Sequence, residues 1–197
     1  MGENYNAPVA RTQSLLIDEV EVTATAAEIN SAADLSVQES MSPGDGFVGS
    51  ETLYASSTVK HGGIYHTSII LDITDTVAAS GDTLIIGASG VSNIGQSLTL
   101  MSGTILGGQV TCLETPATGT ADIDLYSATV GTGEAGDDVT SLSETALLTK
   151  GGAWTASATP VRMSALPATT EYLYLTTGAA SAGTYTAGRF LVEFWGV

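Results

Sequence analysis

From residue 64 onward the apolar residues recur with a period of two, in short runs separated by glycine-rich turns. That period places alternate side chains on opposite faces of a pleated strand, and runs this short are poor helices. Residues 67–73 put Ile69, Leu71 and Ile73 on one face, and residues 189–195 do the same with Phe190, Val192 and Phe194. In 122–126 Ile123 and Leu125 alternate with Asp122, Asp124 and Tyr126, which predicts one buried and one solvated face. Residues 171–177 repeat the logic, with Leu173 and Leu175 inward and Tyr172 and Tyr174 outward. Shorter strands are expected at 83–86, 97–101, 104–106 and 109–114, and a helical turn or irregular crossover within 139–148. Such a pattern predicts an all-β fold, an antiparallel β-sandwich of jelly-roll-like form, with the last strand inside a sheet.

The first 60 residues read differently. Leu16 and Ile17 sit in an apolar run that passes into alternation of Val20 and Val22 with Glu19 and Glu21, so 15–22 is a strand or an extended arm. Thr25-Ala-Ala-Glu28 is a capping box, in which the Thr hydroxyl and the Glu carboxylate satisfy free backbone N–H groups reciprocally. It predicts one short helix through Ala33, followed by a loop at 36–49 around Pro43, Gly44, Asp45 and Gly46. The organisation expected is therefore an N-terminal arm, 1–60, ahead of a β-sandwich domain, 61–197. The arm is too poor in apolar anchors to fold alone, so it is expected to become ordered against a neighbouring chain.

Charge narrows the partners. Five Lys plus Arg against 21 Asp plus Glu give a net charge of −16 on 197 residues, which repels phosphate backbones and anionic lipid surfaces. No nucleic acid and no membrane is expected as a partner. Charged residues are only 13% of the chain while hydrophobic ones are 43%, so the chain is expected to fold rather than stay disordered. The N-terminus has neither a basic region nor an apolar stretch of signal-peptide length, and no run approaches a membrane helix, which predicts a soluble product made in the cytoplasm.

Motifs for chemistry are scarce. Gly87-Ala-Ser-Gly-Val-Ser-Asn93 lacks the spacing of a nucleophile elbow, and neither Lys60 nor Lys150 follows a glycine as a phosphate-binding loop requires. His61 and His66 stand five apart on what reads as one extended chain, hence on opposite faces. Cys112 shares a strand face with Val110 and is expected to be a buried, unreactive thiol. Asp122 and Asp124 share a face, as the paired acids of a glycosidase would, but without an apolar pocket they read as solvated. The acidic turn Gly133-Glu-Ala-Gly-Asp-Asp138 offers oxygen ligands for Ca²⁺ without calcium-loop spacing. No catalytic, cofactor-binding or metal-binding residue is assigned, no cofactor is expected, and the protein is expected not to be an enzyme.

Several longer stretches carry a resemblance. Val22-Thr-Ala-Thr-Ala-Ala-Glu-Ile-Asn30 looks like a phrase that recurs in bacteriophage structural proteins. It occurs here with Thr67-Ser-Ile-Ile-Leu-Asp-Ile-Thr-Asp-Thr76, with Pro116-Ala-Thr-Gly-Thr-Ala-Asp-Ile-Asp-Leu-Tyr-Ser-Ala-Thr129, and with Tyr172-Leu-Tyr-Leu-Thr-Thr-Gly-Ala-Ala-Ser-Ala-Gly-Thr-Tyr-Thr-Ala-Gly-Arg-Phe-Leu-Val-Glu-Phe-Trp-Gly196. Together they resemble the head-associated, capsid decoration or cement-type virion proteins of tailed phages, especially those of aquatic hosts. The resemblance implies a non-enzymatic virion protein on the capsid exterior, with the major capsid protein and further copies of itself as partners, as a homotrimer. A phage tail or head-fibre component is the near alternative. A calcium-dependent carbohydrate-binding β-sandwich module is the alternative from another class, and it would be expected to expose aromatic side chains beside the acidic turns.

Overall fold

A computed structural model of the chain describes residues 16–17, 20–21, 41–47, 54–96 and 104–197. The chain divides into two units, Met1–Asp34 and Leu35–Val197. In the first, β1 (Leu16–Ile17) pairs antiparallel with β2 (Val20–Glu21), Leu16 opposite Glu21 and Ile17 opposite Val20. The helix expected at 25–33 and the strand expected at 97–101 lie outside the described residues.

The second unit is all-β and antiparallel. In chain order its strands are β3 (Tyr54–His61), β4 (Ile64–Asp72), β5 (Val77–Ala78), β6 (Ile105–Ala117), β7 (Ile123–Ala128), β8 (Glu144–Leu148), β9 (Val161–Arg162), β10 (Tyr172–Thr177), β11 (Gly183–Thr184) and β12 (Ala187–Gly196). They form a five-stranded sheet in the order β3-β4-β12-β6-β9, a three-stranded sheet β10-β7-β8, and a two-stranded pairing of β5 with β11. Helical structure among the described residues is confined to 3₁₀ turns at Asp45–Phe47 and Val139–Leu142.

The strand expected inside a sheet is there. β12 runs between β4 and β6, with Phe190 opposite Leu71 on one side and Cys112 on the other, and Val192 opposite Ile69 and Val110. Its burial alternates without a break, so Phe190, Val192 and Phe194 are inside while Arg189, Leu191, Glu193 and Trp195 are half-buried on the other face. β12 is therefore not a free edge that a second chain would have to cover, and β6 pairs on its other side with β9 at Gln109 and Val110. On the three-stranded sheet, Ile123 and Leu125 of β7 and Leu173 and Leu175 of β10 belong to the same buried cluster as the inner face of β12.

Other expectations are corrected. The strands at 104–106 and 109–114 are one continuous β6, because Gly107 and Gly108 are not a turn. A Cβ on Gly107 would lie 2.5 Å from the Trp195 ring, and one on Gly108 would meet the Met163 sulfur at 2.5 Å, so these glycines mark close approach within a strand. Residues 83–86 supply only bridges, Leu84 to Asp138 and Ile85 to Thr176, since Thr83 in the left-handed region (φ 60°) breaks the extended run before it. His61 and His66 do not share one extended chain. Gly62 and Gly63 (φ 55° and 91°) turn β3 into β4, placing Val59 opposite His66 and His61 opposite Ile64. The β-rich unit also takes in residues that the sequence had placed in the arm, since Met41 and Phe47 are buried in its core and β3 is part of its sheet.

The outer face of the three-stranded sheet is not solvated. Tyr174 is wholly buried and packs with Ile85, Ala128 and Val139 in a second apolar cluster, flanked by Tyr126, Leu142 and Tyr172. Backbone hydrogen bonds hold the covering loops down: the Ile86 N–H donates to the Leu175 carbonyl and the Ile94 N–H to the Leu173 carbonyl.

Phe190→Ala should lower the unfolding free energy by about 3–5 kcal/mol, because it opens a cavity where the sheets meet. Thermal unfolding followed by circular dichroism checks this, with a drop of more than about 6 °C expected for a chain of this size.

Candidate functional site

The residues with most chemical capacity gather on that covered face, at the end of β7. Asp124 is only 3% exposed, contrary to the solvated face expected of it. It lies opposite Thr176 of β10, and its Oδ1 accepts a hydrogen bond from the Lys150 backbone N–H at 2.7 Å. Asp122 precedes it on the same side. A side chain starting at Gly178 would find Asp122 Oδ1 at 2.9 Å and Asp124 Oδ1 at 3.2 Å, so both carboxylates crowd the notch this glycine leaves. Asp122 Oδ1 and Thr176 Oγ1 are buried without a hydrogen-bond partner. Burial first, and then the nearby charges of Asp122 and Asp82, raise the Asp124 carboxyl above its ordinary range, while the Lys150 N–H works against them. None of the described aromatic side chains is exposed.

In the acidic turn, Asp137 and Asp138 accept hydrogen bonds from backbone N–H groups and threonine hydroxyls. Asp137 Oδ2 accepts from the Glu134 N–H at 2.9 Å. Asp138 caps the 3₁₀ turn Val139–Leu142: its Oδ1 accepts from the Thr140 N–H, the Thr140 hydroxyl and the Thr83 hydroxyl. Those bonds favour the charged form and hold the Asp138 carboxyl below its usual range. Among the described residues, no three His, Cys, Asp or Glu side chains are grouped so as to hold a metal ion.

Cys112 is buried, on the inner face with Val110, as the alternation implied. Its S–H donates to the Glu114 carbonyl at 3.2 Å, and burial pushes the thiol above its ordinary pKa. It lines a cavity of about 170 Å³ with Lys150, Trp154 and Val161. Sequence alone gave no sign of this neighbourhood, because Lys150 arrives from the far end of β8. The ammonium lies 5.4 Å from the Trp154 ring centre, a cation–π contact. Trp154 is no sugar platform. It is 4% exposed, its Nε1–H donates to the Ile123 carbonyl at 2.7 Å, and its ring meets Phe190 edge to face at 5.6 Å.

On the five-stranded sheet His66 faces Glu193, Nε2 to Oε1 at 3.2 Å, and Gln109 donates to the other oxygen of Glu193. Arg189 pairs with Asp72 at 2.9 Å and lies 4.0 Å from Glu114. Burial raises the Asp72 carboxyl, but hydrogen bonds from Thr74 and Arg189 outweigh it and leave it below the usual range. These contacts are cross-strand ties, and none surrounds a cavity. Among the described residues no helix is long and apolar enough to cross a membrane. Compared with protein-family models, curated proteins and solved structures, the chain matches none.

Because the folded Asp124 carboxyl titrates above its unfolded value, its ionised form destabilises the fold at neutral pH, and that cost disappears as pH falls through the raised pKa. Asp124→Asn keeps an acceptor for the Lys150 N–H and removes the charge. It should raise the melting temperature at pH 7 by a few degrees, the scale on which ~1 kcal/mol moves a chain of this size. The gain should shrink as the pH is lowered toward the ordinary carboxylate range, which thermal melts across pH would show. Cys112 should react with a thiol reagent in the native protein at least tenfold more slowly than in denaturant.

Proposed function

We propose that this chain is a non-enzymatic structural virion protein that binds the outer surface of a phage capsid as a homo-oligomer and decorates or cements the shell. Its larger unit is read as a β-sandwich, since the inner faces of the five- and three-stranded sheets contribute to one apolar cluster. The observation that carries the proposal is where the reactive groups go. Asp124, Asp137, Asp138, the Cys112 thiol and the His66–Glu193 pair are engaged in backbone hydrogen bonds, capping and cross-strand ties. A protein whose polar groups serve its own rigidity has a surface, and not a pocket, as its working part.

The −16 charge supports the exterior of the head, because packaged DNA would repel it. The resemblance of the strand segments to head-associated proteins supports the same place. A carbohydrate-binding module has less support, since every described aromatic side chain is buried or half-buried. The N-terminal unit, Met1–Asp34, is proposed to contribute to contacts with the shell or with neighbouring copies, and a trimer suits the threefold positions of a capsid lattice.

Purified protein mixed with emptied heads of the phage that encodes it should bind in fixed proportion to the major capsid protein, and particle imaging should place it on the outer shell. Density at the tail tip or inside the head would overturn the proposal.

A further inference from the structure

The outer face of the five-stranded sheet is unlike the rest of the described surface. β6 carries three register irregularities against β12, and two of them each extrude a leucine. Leu106 falls between the pairs Gly107–Trp195 and Ile105–Gly196, and Leu113 between Cys112–Phe190 and Glu114–Arg189. A bulge re-aims a side chain at the cost of a ladder contact, and these two leucines are left 53% and 43% exposed. Ile64, at the start of β4, is 48% exposed. Beside them runs a shallow groove of about 290 Å³ along β3, β4 and β12, floored by Ala55, Ser57, Ser68, Ile70 and Leu191. Trp195 lies across Gly107 on this face, with the Arg162 guanidinium 5.9 Å from its ring centre.

Charge on this sheet is balanced. Lys60, Arg162 and Arg189 stand against Asp72, Glu114 and Glu193, with Arg189 beside both Asp72 and Glu114. In contrast, the stretch 122–150 carries Asp122, Asp124, Glu134, Asp137, Asp138 and Glu144 against the single cation Lys150. A chain of net charge −16 meets least repulsion from a second copy of itself where its negative charges are balanced by cations. Area permits the contact as well. Four strands about 4.8 Å apart and eight residues long at about 3.3 Å each give a face on the order of 500 Å². Two such faces together reach the ~1,000 Å² that a specific interface needs.

We infer that the outer face of the sheet β3-β4-β12-β6 is a self-association surface, docking a second copy of this chain through Leu113, Leu191, Ile70 and Leu106. It is a face contact between sheets, separate from any role of the N-terminal residues, and it does not depend on attachment to a shell.

Sedimentation of the full-length chain from 1 to 100 μM, at low and at raised salt, tests this. The wild-type chain should be oligomeric, and the association should tighten as salt screens the net charge, whereas one built on ion pairs would weaken. Leu113→Asp and Leu191→Asp should each weaken association at least tenfold. Leu113→Asp lies at an exposed bulge, so its circular dichroism and melting should stay at the wild-type values even if Leu191→Asp perturbs the fold. Val77→Asp, exposed on β5 outside this sheet, should change nothing. A wild-type chain that is monomeric throughout overturns the inference. So does one that associates only after residues 1–34 are deleted, which would give the face to the chain's own first unit. A Leu113→Asp chain that associates like wild type overturns it too. A chain that self-associates as described but binds no phage head leaves this inference standing and overturns the decoration proposal alone.

Discussion

The fold depends on one strand being wet on neither edge. β12 takes its hydrogen bonds from β4 and β6 together, and its inward side chains Phe190, Val192 and Phe194 meet the leucines of β7 and β10. Remove β12 and the five-stranded sheet becomes two fragments, the hairpin β3–β4 and the long strand β6 with its short partner β9. Neither fragment has an apolar face wide enough to bury the other sheet. Burial of this strand is therefore the contribution that makes every peripheral contact possible, in keeping with the dominance of apolar burial over the individual polar interactions.

Around that core the chain uses neutral polar groups where other proteins use charge. Thr58 and Thr67, directly opposite on β3 and β4, share a buried hydroxyl–hydroxyl bond of 2.8 Å. The Tyr185 hydroxyl donates to the Thr120 carbonyl, the Tyr54 hydroxyl to the Ile94 carbonyl, and the Trp154 indole to the Ile123 carbonyl. Burial pushes the Tyr54 phenol up to about 12, so this tie stays protonated at any physiological pH. Such bonds avoid the desolvation cost of an ion and pin a loop to a strand with one donor each. That explains how 13% charged residues suffice for a surface rich in loops.

How much of this was legible depends on what each residue can see along the chain. Phe190, Val192 and Phe194 announce their face through period two alone, because a strand between two others in a one-sided sheet alternates strictly. Tyr174 and Asp124 alternate just as clearly and mislead, since Ile85 and Val139 beside Tyr174, and Lys150 beside Asp124, come from segments that no local pattern couples to β10 or β7. Gly107 and Gly108 look like a turn for the same reason: only the approach of Trp195 and Met163 makes them strand residues. The cavity beside Cys112 needs Lys150 and Trp154 brought in from beyond β8, and the leucines extruded by β6 depend on register, which sequence does not display. Local alternation gave the elements, and long-range packing gave the faces.

The position of β12 also sets an order of events in time. Its ties join distant points of the chain, as in the contact between Asp72 and Arg189, 117 positions apart. Contacts so far apart in sequence close slowly, because the entropy of the intervening loop is lost before they form. During synthesis β3 and β4 can form their hairpin early, but β4 and β6 each keep an open edge until residues 187–196 have left the ribosome. In that interval the nascent chain presents two open strand edges flanking an apolar face, the form most prone to pair with another chain. The finished sheet hides those edges, so the chain is most adhesive just before β12 takes its place between β4 and β6.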